Sequence, residues 1–390
     1  MHDIIRILNV GQGDSILVKP YLPNTLLLID AGPRGSHINR YISDEEIHLI
    51  ITHHHSDHVG GLKSLIQEKG KQVRKMYLPA QYNELALISE AILHLKSRDL
   101  SKESEPIFSM FKNIQSNQLA IFDAANQKQS PVELRLLYDG AVIENKYECL
   151  NPPRIPLIPN WINEVDTEQF VQMLHTLFQT AFADDLSRIL FEDIKNDHMT
   201  NDVSKDYHTV LPVSKGNDPY RFNRDFILHF FISNHEVFEA FHQNPSYENA
   251  LSLYKLYTSV VHDCCIVIKT LSSPNTILLS SDASKNVFYR LHYENKLKNI
   301  SVFQMPHHGS KKNIDKTIID YIRPKAVFIS HGNRRFGRSI DSHPHTKVLE
   351  MLLARRINIL LTNDVVKGNV TLMKKKNHSN FRSAYIKIEP

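Results

Sequence analysis

Short apolar segments separated by turn residues fill the first 80 residues of the chain. Each segment either alternates apolar and polar positions or is apolar throughout, and this pattern predicts half-buried or fully buried strands. Between them, stretches such as SHINRYIS and GLKSLIQEKG have the apolar spacing of helices. The strands are predicted at residues 3–10, 15–20, 25–32, 47–52 and 73–79. Strands that alternate with helices in this way indicate an α/β fold.

The middle of the chain has a different pattern. Helical spacing recurs in residues 86–98 and 167–194. A proline-rich passage at 151–161 separates them and must be extended or looped, because proline breaks helices and central strands. Residues 200–224 are polar and predict a connecting loop. We therefore predict a mostly helical insertion over residues 101–225.

Strand patterns return after this insertion. The predicted strands lie at residues 226–233, 264–270, 276–284, 300–306 and 326–332. A helix at 345–356 and two short strand-like segments follow them. The chain is thus predicted to be a single domain of 390 residues, with an N-terminal half at 1–100 and a C-terminal half at 226–390 on either side of the insertion.

Composition narrows the class of protein. Hydrophobic residues make up 42% and charged residues 23%, as in soluble globular proteins. The amino end has no secretory pattern and no apolar run approaches about 20 residues, so we expect no membrane span. Three cysteines, two of them adjacent, argue against a disulfide framework, so we expect a reducing, cytoplasmic location. The net charge of +4 is compatible with a polyanionic substrate but does not require one.

The segment THHHSDHVGG, residues 52–61, follows a predicted buried strand and predicts a metal site. In an extended chain, His53 and His55 point to the same side and can converge on one ion. Asp57 and His58 lie where the chain turns into a helix, offset enough to reach a second ion. Imidazole and carboxylate ligands suit Zn²⁺, with Mn²⁺ or Fe as alternatives. A histidine-rich surface loop is the competing interpretation.

Four more candidate ligands occur at the ends of predicted strands far along the chain. The four residues of the histidine-rich segment cannot fill the coordination shells of two ions, so further ligands must come from elsewhere in the chain. They are His262, Asp282, His307 and His308. The ends of buried strands are the usual place for site residues in layered α/β folds, so we expect these side chains to join the first group.

The order of these motifs resembles the metallo-β-lactamase superfamily. THHHSDHVGG matches the superfamily signature, and LNVGQGDSILV, LLIDAG, ILLSSDA, MPHHGS and a His-Pro pair at 343–344 look like the soluble hydrolase domain of the ComEC family of competence DNA-uptake proteins and its free-standing relatives. The resemblance covers roughly residues 3–100 and 226–360. It implies a four-layer αβ/βα sandwich with two divalent ions.

The resemblance also implies roles for individual residues. His53 and His55 would hold the first metal, and Asp57 and His58 the second. Asp282 would bridge them. We favour His307 to complete the second metal's shell, because it comes first after its strand, and leave His308 for substrate. Asp30 would orient a ligand from behind the site, and Asp14 would help to form its floor.

Two departures from the family pattern concern the metal site. The ComEC-like pattern usually has asparagine where this chain has His262, and a histidine there would be a third ligand to the first metal. Ser281 stands where glycine normally precedes the bridging aspartate. The first departure would make the site fully liganded, and the second would place an extra side chain near the metals.

A dinuclear site predicts hydrolysis, since a metal-bound hydroxide can attack phosphorus or a carbonyl carbon. Beside the ligand Asp57, the histidines His308 and His343 are the candidate catalytic groups, as proton donors or phosphate contacts. The candidate phosphate-binding residues share a positive charge and lie near the HHGS and His-Pro motifs. They are Lys311, Lys312, Arg334 and Arg335.

The predicted function is metal-dependent hydrolysis of phosphodiester bonds, with nucleic acid as the first-choice substrate. One alternative is a hydrolase of a small phosphodiester, such as a phosphorylcholine ester or a cyclic nucleotide. Another is a partner-dependent module of a bacterial multi-protein system, such as one for phage defence, with residues 101–225 binding the protein partner.

Overall fold

The computed structural model describes residues 4–95, 103–125, 132–153, 167–178, 224–271, 276–333, 341–367, 370–372 and 385–388. The chain divides into two compact units, each built from separate segments. The first unit contains Met1–Ala80, Asp123–Arg154 and Val261–Pro390, and the second contains Gln81–Phe122 and Ile155–Val260. The candidate ligands all belong to the first unit.

The first unit contains a seven-stranded sheet that begins with the N-terminal strands. They are β1 (Ile4–Leu8), β2 (Ile16–Leu22), β3 (Thr25–Ile29), β4 (Glu46–Ile50), β5 (Val73–Pro79), β6 (Glu133–Leu137) and β16 (Tyr385–Ile388). Their order is β16-β1-β2-β3-β4-β5-β6, with β3 to β6 parallel. Every residue of β3 is buried, as expected for a parallel strand that is covered on both faces.

A second seven-stranded sheet completes the first unit. Its strands are β7 (Val142–Ile143), β8 (Tyr147–Asn151), β9 (Val267–Thr270), β10 (Thr276–Leu279), β11 (Ile300–Gln304), β12 (Ala326–Ile329) and β13 (Asn358–Leu361). Their order is β13-β12-β11-β10-β9-β8-β7, with β10 to β13 parallel. Two further strands, β14 (Val365–Lys367) and β15 (Val370–Leu372), form an antiparallel pair.

The core of the first unit lies between its two sheets. Aliphatic side chains of both sheets pack in one cluster, for example Ile16 and Ile29 with Ile268 and Leu279. A second cluster packs helices against the other face of the second sheet. These helices are α9 (Lys285–Tyr293), α10 (Lys316–Ile322) and α11 (Thr346–Ala354). The predicted α/β fold class is confirmed.

Short helices also follow β4 in the first unit. They are α1 (Ser56–Val59) and α2 (Leu62–Lys69), and 3₁₀ turns occur at Ile38–Tyr41, Gly70–Gln72 and Pro306–His308. Leu62 and Leu65 of α2 are fully buried.

The second unit is helical in its described residues. Its helices are α3 (Tyr82–Leu95), α4 (Glu105–Ala125), α5 (Thr167–Phe178), α6 (Arg224–Ser233), α7 (His235–Gln243) and α8 (Tyr247–Asp263). The last residues of α4 and of α8 belong to the first unit. Aromatic rings fill its core, with Phe108 5.4 Å from Phe241 and Phe111 5.6 Å from Tyr257 between centroids. Buried aromatics of this size supply most of the apolar area of a small helical core.

The structure corrects two sequence predictions near residue 230. Residues 226–233 form helix α6 rather than a strand, with Ile227, Leu228, Phe230 and Phe231 buried at helical spacing. A short apolar run fits either element, so its sequence alone did not decide between them. His262 lies at the end of helix α8 rather than at a strand start.

The helical unit also extends beyond the predicted insertion at 101–225. It begins at Gln81 and ends at Val260, whereas strands β6, β7 and β8 fall inside the predicted insertion and belong to the two sheets. Parts of the expected helix at 167–194 and the expected loop at 200–224 lie outside the described residues. The single-domain organisation and a protein partner for residues 101–225 stay predictions.

No helix among the described segments has the length and apolarity needed to cross a lipid bilayer.

Candidate metal centre

The histidine-rich segment is held at the edge of the first sheet by close backbone packing. The peptide N–H of Asp14 donates to the carbonyl oxygen of Asp57 at 3.2 Å, which brings the first turn of the chain under α1. Gly13 makes this approach possible, because a Cβ atom there would lie 2.2 Å from the Asp57 oxygen. The carbonyl of Thr52 in turn accepts from the N–H of Ile266, before β9 of the second sheet. The segment therefore bridges both sheets.

Four side chains form a first cluster, with each potential ligand atom within 4.8 Å of the others. They are His53, His55, His262 and Asp282. The Nε2 atom of His53 lies 3.1 Å from Nδ1 of His55 and 3.7 Å from Oδ2 of Asp282. The Nε2 atom of His262 lies 3.8 Å from the same oxygen. The last turn of α8 thus brings a histidine to the pair predicted from the i, i+2 spacing.

A second cluster adjoins the first and shares Asp282 with it. Its other members are Asp57, His58 and His308. The Nε2 atom of His58 lies 3.4 Å from Oδ1 of Asp282, and the Nε2 atom of His308 lies 3.1 Å from Oδ2 of Asp57. One carboxylate therefore faces both clusters with different oxygens.

Several of these atoms are buried without a hydrogen-bond partner among the described residues. They are Nε2 of His55, His58 and His262, and both oxygens of Asp282. Leaving a buried polar group without a partner costs about 1–3 kcal/mol. Four of these atoms, Nε2 of His58, Nε2 of His262 and the two Asp282 oxygens, lie together and require another explanation. Divalent cations supply it, since each would take these atoms as ligands.

The separations also fit cations. Ligand atoms about 2.1 Å from a tetrahedral zinc ion stand roughly 3.4 Å from one another. The separations between His58 and Asp282, at 3.4 Å, and between His53 and Asp282, at 3.7 Å, lie near this value. The donor set of imidazole nitrogens and carboxylate oxygens suits zinc or manganese. The residues present fit two divalent ions.

The electrostatics of the two clusters point the same way. Burial lowers the pKa of His55 to about 4 and holds that of His53 and His262 well below its ordinary value, so these rings are neutral at neutral pH and can ligate a metal. Burial opposes the charged form of His58 too, but Asp282, Asp30 and Asp57 outweigh it and raise its pKa. These three carboxylates concentrate negative charge beside His58, and divalent cations would neutralise that charge.

Both aspartates expected behind the ligands lie next to them. Asp30 is 1% exposed and accepts from Nδ1 of His58 at 2.7 Å. Asp14 is also buried, and burial raises its pKa to about 6. Its Oδ2 accepts from Gln304 at 2.9 Å, and its Oδ1 lies 3.9 Å from Nδ1 of His308. Both aspartates thus lie beside candidate ligands, and their roles in orienting a ligand and forming the floor of the site stay predictions.

The sequence analysis favoured His307 as the ligand and left His308 for substrate, but the structure places these two residues the other way round. His308 is 1% exposed and belongs to the second cluster, whereas His307 belongs to neither cluster and has 23% of its side chain exposed. Both residues have positive φ, 48° and 54°, in a 3₁₀ turn after β11. In such a turn, order along the chain does not decide which ring reaches inward. His308 is thus the candidate ligand, and His307 lies at the rim.

The rim of the site contains further predicted residues. The ring of His343 is 5.2 Å from that of His307, and burial lowers its pKa to about 2. Lys311 and Lys312 are exposed immediately after the HHGS turn. Arg334 and Arg335 lie outside the described residues. The expected contacts of these two lysines and two arginines with phosphate stay predictions.

Sequence reasoning missed several polar residues that hold the ligands. Thr52 contacts Asp30, His53 and Ser281, and the carbonyl of Ser330 accepts from Nδ1 of His308 at 2.9 Å. Asn313 lies 3.1 Å from Nδ1 of His307. Gln304 had a recognisable signal, since it is a polar residue directly after the apolar pair Val302 and Phe303 of β11 and is 3% exposed.

The family comparison agrees with the fold and the site. The family model of the metallo-β-lactamase superfamily matches residues 8–170, which include the histidine-rich segment. This chain has the metallo-β-lactamase fold. The superfamily resemblance expected from the sequence is confirmed. That superfamily is hydrolytic, and the described residues of this chain include a candidate metal site.

A curated relative extends the comparison. Recombination protein 2 of Haemophilus influenzae is 28% identical to this metallo-β-lactamase-fold chain over 132 residues, which are 33% of this chain. The matched part spans 15% of that protein's length. The match supports the ComEC-like character seen in the motifs.

Proposed function

We propose that this protein is a metal-dependent phosphodiesterase that cleaves nucleic acid. The observation that carries the proposal is the pair of adjoining clusters that share Asp282, where four buried ligand atoms of His58, His262 and Asp282 have no hydrogen-bond partner among the described residues. When bound there, two divalent ions supply a nucleophile from water at neutral pH and stabilise the charge that develops on the reacting group. The chain itself would hold the ions and position the substrate, with buried residues such as Asp14 and Asp30 behind the ligands.

The ligand side chains are held in place before any ion binds. His58 and His308 each donate their Nδ1 hydrogen to an oxygen behind the site, on Asp30 and Ser330 respectively. Their Nε2 atoms are therefore left to face Asp282 and Asp57. Partners of this kind fix the ring orientation and raise the basicity of a ligand.

Two histidines at the rim are positioned to contact substrate. His307 lies 3.6 Å from Asp282 through its Nε2 atom, and its Nδ1 atom is next to Asn313. His343 packs against the His307 ring. We propose that these imidazoles hydrogen-bond the phosphoryl oxygens and the leaving oxygen, while Lys311 and Lys312 contact phosphates outside the site.

The choice of phosphodiester over lactam or thioester rests on three observations. The HHGS turn and the His-Pro pair both reach the site, as their likeness to ComEC-type domains implies. Two exposed lysines follow the HHGS turn directly. The relative named Recombination protein 2 bears a name that refers to recombination, a process of nucleic acids.

The test is a cleavage assay with labelled single- and double-stranded DNA, RNA and bis(p-nitrophenyl) phosphate. Protein loaded with Zn²⁺ or Mn²⁺ is expected to cleave at least one polymer and the chromogenic diester. The Asp282→Asn variant should abolish both activities, while the exposed Asp44→Asn variant should retain them. Intact polymers alongside cleaved cyclic nucleotides or phosphorylcholine esters would replace the nuclease with a small-diester hydrolase. Inertness towards every diester would overturn the proposal.

A further inference from the structure

The hydroxyl of Thr52 lies at the centre of a buried hydrogen-bond network behind both clusters. It donates to Oδ2 of Asp30 at 2.7 Å. It accepts from the hydroxyl of Ser281 at 2.7 Å and lies 3.2 Å from Nδ1 of His53. A hydroxyl offers one hydrogen and two lone pairs, so these three contacts use its full capacity when Nδ1 of His53 is the donor.

This arrangement determines which nitrogen of His53 faces the cation site. With its hydrogen on Nδ1, the ring presents the unprotonated Nε2 atom, 3.7 Å from Oδ2 of Asp282. Without the Ser281 donor, the Thr52 hydroxyl has a free lone pair and can rotate its hydrogen away from Asp30. The fixed direction of the Thr52 hydroxyl therefore depends on Ser281.

The same network reaches the second cluster through Asp30. Its Oδ1 accepts from the N–H of Thr52 at 2.8 Å, and its Oδ2 is shared between the Thr52 hydroxyl and Nδ1 of His58. His58 then presents Nε2 to Oδ1 of Asp282 at 3.4 Å. One hydroxyl thus connects the orientation of a histidine in each cluster.

Ser281 occupies a backbone conformation that favours glycine. Its φ is 46°, in the left-handed region, and it is 3% exposed. Its N–H donates to Gln304 at 3.1 Å and its carbonyl accepts from the N–H of His307 at 3.1 Å, so the backbone beside Asp282 is held on both sides. A side chain at such a position carries a conformational cost that glycine does not. A serine there is explained when its hydroxyl does something that glycine cannot.

We propose that Ser281 is a positioning residue for the metal centre. Its hydroxyl completes the hydrogen bonding of Thr52. Through Thr52 and Asp30, it thereby determines which ring nitrogen of His53 and of His58 is unprotonated and faces a cation. This inference rests on the cation binding in the proposed function, but not on the substrate.

The test uses Ser281→Gly and Ser281→Ala with purified full-length protein. Both substitutions remove the hydroxyl, but only glycine also relieves the left-handed conformation. Both variants should bind Zn²⁺ about tenfold more weakly in chelator competition, within the range for outer-shell partners of metal ligands. Ser281→Gly should nevertheless melt at a higher temperature than Ser281→Ala in the metal-free state. The electronic spectrum of the Co²⁺-loaded protein should change in both.

A double-substitution cycle tests the route through Thr52. Thr52→Val removes the shared hydroxyl, and adding Ser281→Gly to it should weaken Zn²⁺ binding little further. Full additivity of the two effects would overturn the inference, as would wild-type affinity and an unchanged Co²⁺ spectrum in Ser281→Gly. Wild-type protein that takes up no cation would overturn it too.

The outcomes separate this inference from the proposed function. Wild-type protein that binds cations but cleaves no diester would end the proposed function and leave the role of Ser281 standing. Wild-type protein that cleaves, with Ser281 variants that bind cations equally well, would end only the role of Ser281.

Discussion

The Nδ1 atom of His58 and the Oδ2 atom of Asp30 lie 2.7 Å apart, and both side chains are almost fully buried. Asp30 also accepts from the N–H and the hydroxyl of Thr52, so three donors converge on its two oxygens. An amide in this position would direct an NH₂ group towards one of these donors.

We therefore expect Asp30→Asn to weaken the second cation site through His58. Affinity for the second ion should fall by about 10–100-fold, the range seen when such partners are lost. The free energy of unfolding should fall by about 1–3 kcal/mol, because buried donors lose their acceptor. Equilibrium dialysis and denaturant unfolding measure the two effects. Asp44→Asn, on the exposed surface, is the control, and unchanged affinity in Asp30→Asn would contradict the expectation.

The sharing of Asp282 predicts different losses of metal from two variants. Asp282→Asn should lower the occupancy of both sites, because its oxygens face both clusters. His262→Ala should lower the occupancy of the first site alone and leave close to one ion per chain. Elemental analysis of dialysed protein counts the ions. Two ions retained in His262→Ala, with lower activity, would assign His262 to substrate instead.

The adjacent histidines of the HHGS turn provide a matched pair of variants. His308→Ala should lose the second ion, since the ring is buried against Asp57. His307→Ala should keep both ions and raise KM for the diester, since this ring lies at the rim with 23% of its side chain exposed. Metal content and steady-state kinetics together decide the assignment. The opposite result would restore His307 as the ligand, as its place in the sequence suggested.

Removal of the ions should destabilise the protein without unfolding it. Ligand binding at 100 times its Kd adds about 2.7 kcal/mol to the free energy of unfolding, and chelation removes this contribution. The core between the sheets is aliphatic and does not depend on the ions. Circular dichroism after chelation should therefore show native secondary structure with a lower Tm. Chelator should lower the Tm of Asp282→Asn much less than that of the wild type. A wild-type Tm that chelator leaves unchanged would argue against bound ions.

Phosphate contacts by Lys311 and Lys312 predict a dependence on salt. Each contact with single-stranded nucleic acid contributes about 0.7 to the slope of log affinity against log salt. The double variant Lys311→Ala/Lys312→Ala should lower the slope magnitude by about 1.4 while leaving kcat for bis(p-nitrophenyl) phosphate near the wild-type value. Filter binding at several salt concentrations measures the slope. The same slope in both proteins would place the contacts elsewhere.

Much of the first sheet followed from local sequence pattern. The apolar runs that became β3, β4 and β5 are buried in parallel strands, and such runs are recognisable without tertiary context. The convergence of His53 and His55 followed from the two-residue period of an extended chain. These features depend only on neighbours along the chain.

Features that depend on distant partners could not be read in the same way. The apolar pattern of residues 226–233 fits a strand and a helix equally well. The helix packs against Phe238, and this contact cannot be read from the pattern. The contact of Ser281 with Thr52 joins residues 229 positions apart. The inward position of His308 depends on a left-handed turn. Each is decided by the assembled sandwich.

The division of ligands along the chain has a consequence for synthesis. Residues 53–58 supply two ligands to each cluster, and the remaining ligands come from His262, Asp282 and His308, with His308 lying 251 positions after Asp57. A chain still on the ribosome presents the early ligands long before the late ones are made. The candidate metal centre therefore cannot assemble on a nascent chain, and a chain truncated before Asp282 is expected to lack both cation sites even where its first strands have already paired.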